Sequence, residues 1–294
     1  MVFCKGKKYT AFILNIKRDM RYEKRFSTIH FPMGLGLIAG AISSFSNNLN
    51  IKIYDNYVNT ISINDLVSDI ERDKPDFVLM NSFLGNYQYK FIKNFINKVS
   101  ELSPGTKTII GGPMATSIPD LLMRHSKIDY VVVGEGEETI KHLLIALMNR
   151  TDTREVKGIY GKDASEIFST GYRPRIKLLS ASHKTPYEIF DIDKYVNYLL
   201  ETERCWEIIT SRGCYGKCNF CHRSFGKHIT YRDLSEVVNE MKFIKNKYNI
   251  DRFSFVDDNF LINERRAEEF ICILKMNVKN SNFVFKDALI NLEI

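Results

Sequence analysis

The run Ser211-Arg-Gly-Cys-Tyr-Gly-Lys-Cys-Asn-Phe-Cys221 places three of the chain's six cysteines, Cys214, Cys218 and Cys221, within eight residues. An apolar run precedes them, so we expect a tight loop at the end of a strand. Three thiolates from one loop suit an iron-sulfur cluster, because soft sulfur ligands bind iron. A 4Fe-4S cluster needs four ligands, so three cysteines leave one iron open to a small molecule. The stretch therefore predicts a reactive metal centre.

Two other interpretations of the three cysteines stay open at this point. A zinc site would need a fourth ligand, for which His222 is poorly spaced and His228 is the other nearby candidate. A disulfide with a leftover thiol is disfavoured, since the N-terminus lacks the pattern of a secretory signal.

The spacing Cys-x3-Cys-x2-Cys, with Phe220 before the last cysteine, resembles the cluster loop of radical S-adenosylmethionine (SAM) enzymes. In that family the open iron chelates SAM, and one electron from the cluster cleaves SAM to methionine and a 5'-deoxyadenosyl radical. The resemblance implies that Cys214, Cys218 and Cys221 bind a 4Fe-4S cluster and that Phe220 packs at the SAM site.

The first half of the chain alternates apolar strands with amphipathic helices, which predicts an α/β fold with a doubly wound parallel sheet. Asn64 is expected to cap the second helix. Ligands of such sheets bind beyond the carboxyl ends of the strands. Strands are expected at 9–15, 51–54, 76–80, 107–110 and 130–133, and helices at 33–45, 64–72 and around 91–99.

Glycine-rich loops follow several of these strands, and glycine permits close approach of the backbone to a ligand. Together the loops resemble the cobalamin (B12)-binding, Rossmann-like domain found before one branch of radical SAM domains. A nicotinamide site competes, but Gly34 and Gly36 lack a third glycine at the required spacing. The cobalamin contacts implied by the resemblance are Pro32, Gly34, Leu35, Ser82, Gly111, Gly112, Gly134, Glu135 and Gly136.

Many cobalamin-binding domains carry Asp-x-His-x-x-Gly, whose histidine binds cobalt. This chain lacks the motif, since His30 has neither the aspartate before it nor the glycine after it at the required positions. The resemblance therefore implies base-off cobalamin without a histidine ligand, which would favour methyl transfer.

The second half reads as a hairpin near 156–168, a linker, a strand at 206–210, a helix at 233–248 and a strand at 252–256. Asp257-Asp-Asn-Phe260 then resembles a segment that binds the amino group of SAM, which implies SAM contacts for Asp257 and Asp258. Solvated, helix-capping aspartates are the alternative. We expect a cobalamin-binding domain at 1–150, a hairpin and linker at 151–203, and part of a radical SAM β/α barrel at 204–294.

The resemblance implies a radical SAM enzyme that uses cobalamin for methylation or another carbon-centred radical reaction. The alternative is a noncatalytic cobalamin- and cluster-binding fragment, because the sequence ends about halfway through the expected barrel. The net charge of +7 comes from dispersed lysines, so nucleic acid is an unexpected partner. We expect a cytoplasmic protein without a membrane span, a small-molecule substrate, and an electron donor such as flavodoxin or ferredoxin.

Overall fold

The structure is a computed structural model that describes residues 7–16, 29–43, 47–59, 61–83, 86–163, 166–179, 184–202, 205–219, 221, 226–277 and 284–286. The chain forms two compact units. The N-terminal unit takes in the described parts of Met1–Thr28, Pro32–Arg175 and Ser182–Phe190, and the C-terminal unit those of Ile29–Phe31, Ile176–Ala181 and Asp191–Ile294.

A seven-stranded sheet in the order β2-β1-β3-β4-β5-β6-β7 forms the centre of the N-terminal unit. The first five strands are parallel, and the last two form a hairpin that pairs antiparallel with β5. The predicted doubly wound parallel sheet is thereby confirmed. Its strands are β1 (Tyr9–Asn15), β2 (Leu49–Asp55), β3 (Phe77–Asn81), β4 (Lys107–Gly111), β5 (Tyr130–Val132), β6 (Ile159–Asp163) and β7 (Glu166–Ser169).

Helices cover both faces of this sheet because the strand residues alternate between two apolar cores. On one face Phe12, Val78 and Ile110 belong to the core that α2, α3, α4 and α5 cover. On the other face α1 packs against α6. The helices are α1 (Met33–Ser43), α2 (Ile63–Asp73), α3 (Asn86–Leu102), α4 (Pro113–Ser117), α5 (Pro119–His125) and α6 (Glu137–Asn149).

The expected N-cap at Asn64 is wrong, because Ser62 caps α2. The Ser62 hydroxyl accepts from the Asp65 amide, and the Asp65 carboxylate accepts from the Ser62 amide. This reciprocal capping box satisfies two backbone donors that the helix itself leaves unpaired.

The C-terminal unit holds a parallel sheet in the order β12-β11-β8 and a separate two-stranded pair, β9 and β10. Trp206, Phe253 and Phe270 are among its fully buried side chains. Strands separated by helices agree with the expected partial β/α barrel. Its elements are α7 (Ile192–Glu201), β8 (Trp206–Ile208), β9 (Ser211–Arg212), β10 (Thr230–Tyr231), α8 (Leu234–Tyr248), β11 (Arg252–Phe255), α9 (Glu264–Asn277) and β12 (Val284–Lys286).

The strand expected at 206–210 ends earlier, at Ile208. The Ile208 carbonyl still accepts from Val256, but the Thr210 amide donates to the side chain of Asp257 instead of to a neighbouring strand. In the described part of the chain, no helix is long and apolar enough to cross a membrane.

Candidate functional site

The three clustered cysteines lie between β9 and β10, on a segment of residues 213–229 that we call the cysteine loop. The two strands pair antiparallel, with Arg212 opposite Thr230 and Ser211 opposite Tyr231. The loop leaves β9 through Gly213, whose φ of +95° is a left-handed conformation that favours glycine. The paired strands therefore bring both ends of the loop together.

Cys214 is half-buried, Cys218 and Cys221 are exposed, and none of the three forms a disulfide within the described part of the chain. The Gly216 amide donates to the Cys214 sulfur at 3.3 Å. A Cβ atom on Gly216 would lie 3.2 Å from the Cys214 sulfur and 3.9 Å from the Cys218 sulfur. Two of the three sulfurs thus lie beside the same glycine, on a loop open to solvent.

Three cysteine thiolates on one loop are a donor set that fits an iron-sulfur cluster. Among the described residues, no group of three or more His, Cys, Asp and Glu side chains is gathered tightly enough to hold a single ion. A cube of iron and sulfide separates its thiolate ligands more widely than one ion does, so converging sulfurs are not required beforehand. His228 lies in the described part of the loop, whereas His222 and Phe220 lie outside the described residues.

The two aspartates that follow β11 are both turned toward the start of the cysteine loop. Asp257 Oδ1 accepts from the Thr210 amide at 2.7 Å, and Oδ2 accepts from the hydroxyls of Thr210 and Ser211 at 2.6 Å each. Asp258 Oδ2 accepts from the Gly213 amide at 2.7 Å. Burial raises the pKa of Asp257 above its ordinary value, although the bonds from Ser211 and Thr210 oppose that shift.

The buried Arg232 and the half-buried Arg266 bind the backbone just before the cysteine loop. Arg232 donates to the Ile209 carbonyl at 2.9 Å and pairs with Glu240 at 2.7 Å. Arg266 donates to the carbonyls of Thr210 and Arg232, and its guanidinium lies 4.6 Å from the ring centroid of Tyr231. Burial lowers the pKa of Arg266, and the charge of Asp257 opposes this. Sequence reasoning missed both arginines, since no local spacing connects them to the cysteines.

The loops after β3 and β4 of the N-terminal unit are joined by Ser82. Its hydroxyl donates to the Gly111 carbonyl at 2.6 Å and accepts from the Ala115 amide at 3.1 Å. Gly112 has a φ of +98°, and a Cβ there would overlap the Asn81 side chain and lie 2.6 Å from the Ser82 carbonyl oxygen. The fold itself therefore requires glycine at 112, and three predicted cobalamin contacts, Ser82, Gly111 and Gly112, lie together.

The loop after β5 is tied to the same edge through Thr116, which sequence reasoning missed. The Thr116 hydroxyl accepts from the Gly134 amide at 3.1 Å. Gly134 has a φ of +76°, and the exposed ring of Tyr172 lies beside it. The loops after three neighbouring strands thus meet at the carboxyl edge, where parallel sheets bind ligands.

The remaining predicted cobalamin contacts lie in the loop after β5 and at the start of α1. Glu135 has a side chain only 7% exposed, and its carboxylate lies 3.8 Å from Arg175. Gly136 faces Ile38 of α1. The Pro32 carbonyl accepts from the Gly36 amide at the start of α1, where Leu35 is buried and a Cβ on Gly34 would meet none of the described residues within 4 Å.

His30 pairs with Glu207 of β8 within the C-terminal unit, with 2.7 Å between Nδ1 and the carboxylate.

Comparison with known proteins gives two family matches, the B12 binding domain over residues 24–144 and the radical SAM superfamily over residues 208–291. The chain is 30% identical to an uncharacterized methyltransferase of Pyrococcus horikoshii, over 80% of this chain and 50% of the relative. It is 25% identical to an anaerobic magnesium-protoporphyrin IX monomethyl ester cyclase of Synechocystis, over 81% and 47%. It is 24% identical to cytidylyl-2-hydroxyethylphosphonate methyltransferase of Streptomyces wedmorensis, over 83% and 54%. The chain thus spans about half the length of these relatives.

Solved structures share the fold. The cobalamin-dependent SAM radical enzyme OxsB, with aqua-cobalamin and SAM bound, superposes with a TM-score of 0.75 at 16% identity, over 95% of this chain and 38% of that chain. The radical SAM methyltransferase TsrM of Kitasatospora setae, with cobalamin and a [4Fe-4S] cluster bound, gives 0.74 at 16% identity, over 93% and 54%. With both domains matched in sequence and the same fold found in these structures, the chain belongs to the radical SAM proteins that carry a B12-binding domain.

Proposed function

We propose that this chain supplies the cobalamin-binding and cluster-binding parts of a radical SAM enzyme that methylates a small molecule or carries out another carbon-centred radical reaction. The observation that carries the proposal is the cysteine loop, in which three cysteines lie on one segment whose two ends are held together by the pairing of β9 with β10. Two of the three relatives compared above are named as methyltransferases, which favours methyl transfer.

In this proposal Cys214, Cys218 and Cys221 bind three irons of a 4Fe-4S cluster and leave the fourth iron for SAM. The bound cluster supplies the electron that cleaves SAM, and cobalamin supplies a carrier for the methyl group. Phe220, which directly precedes Cys221 in the sequence, is a proposed SAM contact, and Asp258 is a candidate partner for the SAM ammonium group.

The cobalamin site is proposed at the carboxyl edge of the N-terminal sheet. Backbone at Gly111, Gly112 and Gly134 would approach the ligand, with Ser82 fixing the first two. Pro32, Gly34, Leu35, Glu135 and Gly136 remain proposed contacts. A small-molecule substrate and a flavodoxin or ferredoxin as electron donor belong to the same proposal.

The test is anaerobic reconstitution of the chain with iron and sulfide, followed by SAM, hydroxocobalamin and a strong chemical reductant. We expect a 4Fe-4S Mössbauer spectrum and formation of 5'-deoxyadenosine or S-adenosylhomocysteine. Omission of iron is the matched control. Stoichiometric zinc with no iron uptake would contradict the proposal, and cluster binding without any SAM cleavage would favour the noncatalytic alternative.

A further inference from the structure

We propose that Asp257 is a positioning residue that fixes the start of the cysteine loop, and so the geometry of the cluster, without being a ligand of SAM. The proposal rests on the proposed cluster site. It revises the expectation, drawn from sequence, that the two consecutive aspartates share one task.

Asp257 uses both carboxylate oxygens to hold the residues that precede the cysteine loop. Its two carboxylate oxygens accept three short bonds, from the Thr210 amide and from the hydroxyls of Thr210 and Ser211. Thr210 is fully buried, and Ser211 is 3% exposed. Bonds to a charged acceptor in such a place are stronger than bonds between neutral groups. An ammonium group from a ligand would have to displace them.

These bonds lie immediately before the cysteine loop in the sequence. They hold Thr210 and Ser211, which lie between the end of β8 and Arg212. A further bond, from the Gly213 amide to Asp258, fixes the residue directly before Cys214. Gly213 adopts a left-handed conformation, so the chain direction changes at this residue. An error in backbone angle here would move the first cysteine sulfur, since the loop extends from this point.

The opposite side of the same backbone is held by arginines. The Ile209 carbonyl accepts from Arg232, and the Thr210 carbonyl accepts from Arg266 and from the Arg232 amide. Amides are therefore bound by a carboxylate and carbonyls by guanidinium groups. This arrangement provides hydrogen-bond partners for backbone groups of Ile209 and Thr210, which follow the end of β8 and are not part of its sheet. It also places Asp257 near a counter-charge, as its effect on the pKa of Arg266 indicates.

The two aspartates consequently differ. Asp257 has both oxygens occupied, whereas one oxygen of the exposed Asp258 accepts no hydrogen bond within the described part of the chain. If either carboxylate receives the SAM ammonium group, the geometry points to Asp258.

The test compares Asp257→Ala, Asp257→Asn and Asp258→Asn with the unaltered chain. Asp251→Asn, just before the other end of β11, is the matched control. Amide hydrogen exchange of the peptide spanning Thr210 to Gly213 is measured on apo-protein. Reconstituted protein is used for three further measurements. These are the iron content, the EPR spectrum of the reduced cluster, and the SAM concentration that half-saturates the SAM-induced change in that spectrum.

We expect Asp257→Ala to speed exchange in this peptide about tenfold or more, because a charge-assisted bond is lost. The amides of α8 should exchange as before. Cluster content should fall or its EPR spectrum should change, while the half-saturating SAM concentration of the remaining cluster stays within about twofold, since no SAM contact is removed. Asp257→Asn should be intermediate, because its amide oxygen still accepts from Thr210 and the hydroxyls can reverse direction.

The opposite pattern would overturn the inference. If Asp257→Asn leaves exchange and the EPR spectrum unaltered but raises the half-saturating SAM concentration about tenfold, Asp257 is a SAM ligand. If the Asp257 variants equal Asp251→Asn in every measurement, Asp257 has no positioning role. If the unaltered chain binds no cluster, the proposed function is refuted. If amide hydrogen exchange in the Asp257 variants equals that of the unaltered chain, the positioning role of Asp257 is refuted, whatever the cluster result. Should Asp257→Ala not fold, Asp257→Asn decides.

Discussion

The Gly213 amide donates to the Asp258 carboxylate across 45 residues of sequence, at 2.7 Å. This bond ties the residue before the first clustered cysteine to the end of the next parallel strand of the unit. Changes at the end of β11 are therefore expected to act on the cysteine loop.

Replacement of Cys218 by alanine should abolish binding of the cluster, because a methyl group cannot replace a thiolate ligand. Iron and sulfide analysis of the reconstituted unaltered chain should give about four irons per chain, and the variant should give far less. Cys272→Ala is the control, since Cys272 is an exposed thiol on α9, outside the loop. Equal iron in both variants would remove Cys218 from the proposed ligands.

Gly34→Ala should separate ligand contact from folding. The added Cβ meets no atom of the described residues within 4 Å, and alanine in place of glycine in a helix adds up to about 1 kcal/mol of stability. If α1 approaches cobalamin here, the affinity for hydroxocobalamin should fall about tenfold while the thermal unfolding midpoint, followed by circular dichroism, is unchanged or higher. Unchanged affinity would place Gly34 away from the ligand.

Gly112→Ala should instead destabilise the apo-protein by more than about 2 kcal/mol, because the added carbon overlaps Asn81 and the Ser82 backbone at a left-handed φ. The same thermal unfolding experiment measures this loss. An apo-protein as stable as the unaltered chain would contradict the close packing around Gly112. Loss of cobalamin binding in this variant alone would not identify a ligand contact.

Glu240→Ala should destabilise the C-terminal unit by about 2–4 kcal/mol, since it leaves the buried guanidinium of Arg232 without its carboxylate. Trp206 is the sole tryptophan of the chain and is buried in this unit, so its fluorescence during urea unfolding reports on the loss. Lys194→Ala, which breaks an exposed pair with Asp191, should cost about 0.5 kcal/mol or less. Similar losses in both variants would mean that the Arg232 pair contributes no more than a surface pair.

His142 should make the stability of the N-terminal unit depend on pH. Partial burial and the charge of Arg173, which lies 2.8 Å from Nδ1, lower its pKa below 6.5, while Lys141 acts in the same direction and Glu138 opposes it. Below pH 6.5 the unfolded chain takes up a proton that the folded protein resists, so this contribution to stability is full above 6.5 and declines as the pH falls.

His142→Asn should therefore reduce the decline in thermal stability between about pH 6.5 and pH 5. His125→Asn, at the exposed end of α5, is the control. An identical pH profile for His142→Asn and the unaltered chain would refute the shift.

Sequence reasoning found the five parallel strands because buried strands such as 9–15 are continuous apolar runs, visible without any partner. It also selected Ser82, Gly111 and Gly112, whose loops follow those runs and which lie together in the fold, while their contact with cobalamin stays a prediction. It could not find Thr116, Tyr172 or Arg266, because each acts through a contact that only the folded chain creates. Asp257 and Asp258 show the same limit, because their spacing in the sequence does not indicate whether a carboxylate contacts a ligand or the protein backbone.

The bonds that Ser82 makes with Gly111 and Ala115 have a consequence for binding thermodynamics. They are intramolecular, so the loops after β3 and β4 hold their shape by themselves. Binding of a ligand at this edge costs little conformational entropy for ordering the two loops, so more of the contact free energy contributes to affinity. Mutations that loosen Ser82 should thus weaken binding chiefly through entropy, a difference that calorimetry at several temperatures would reveal.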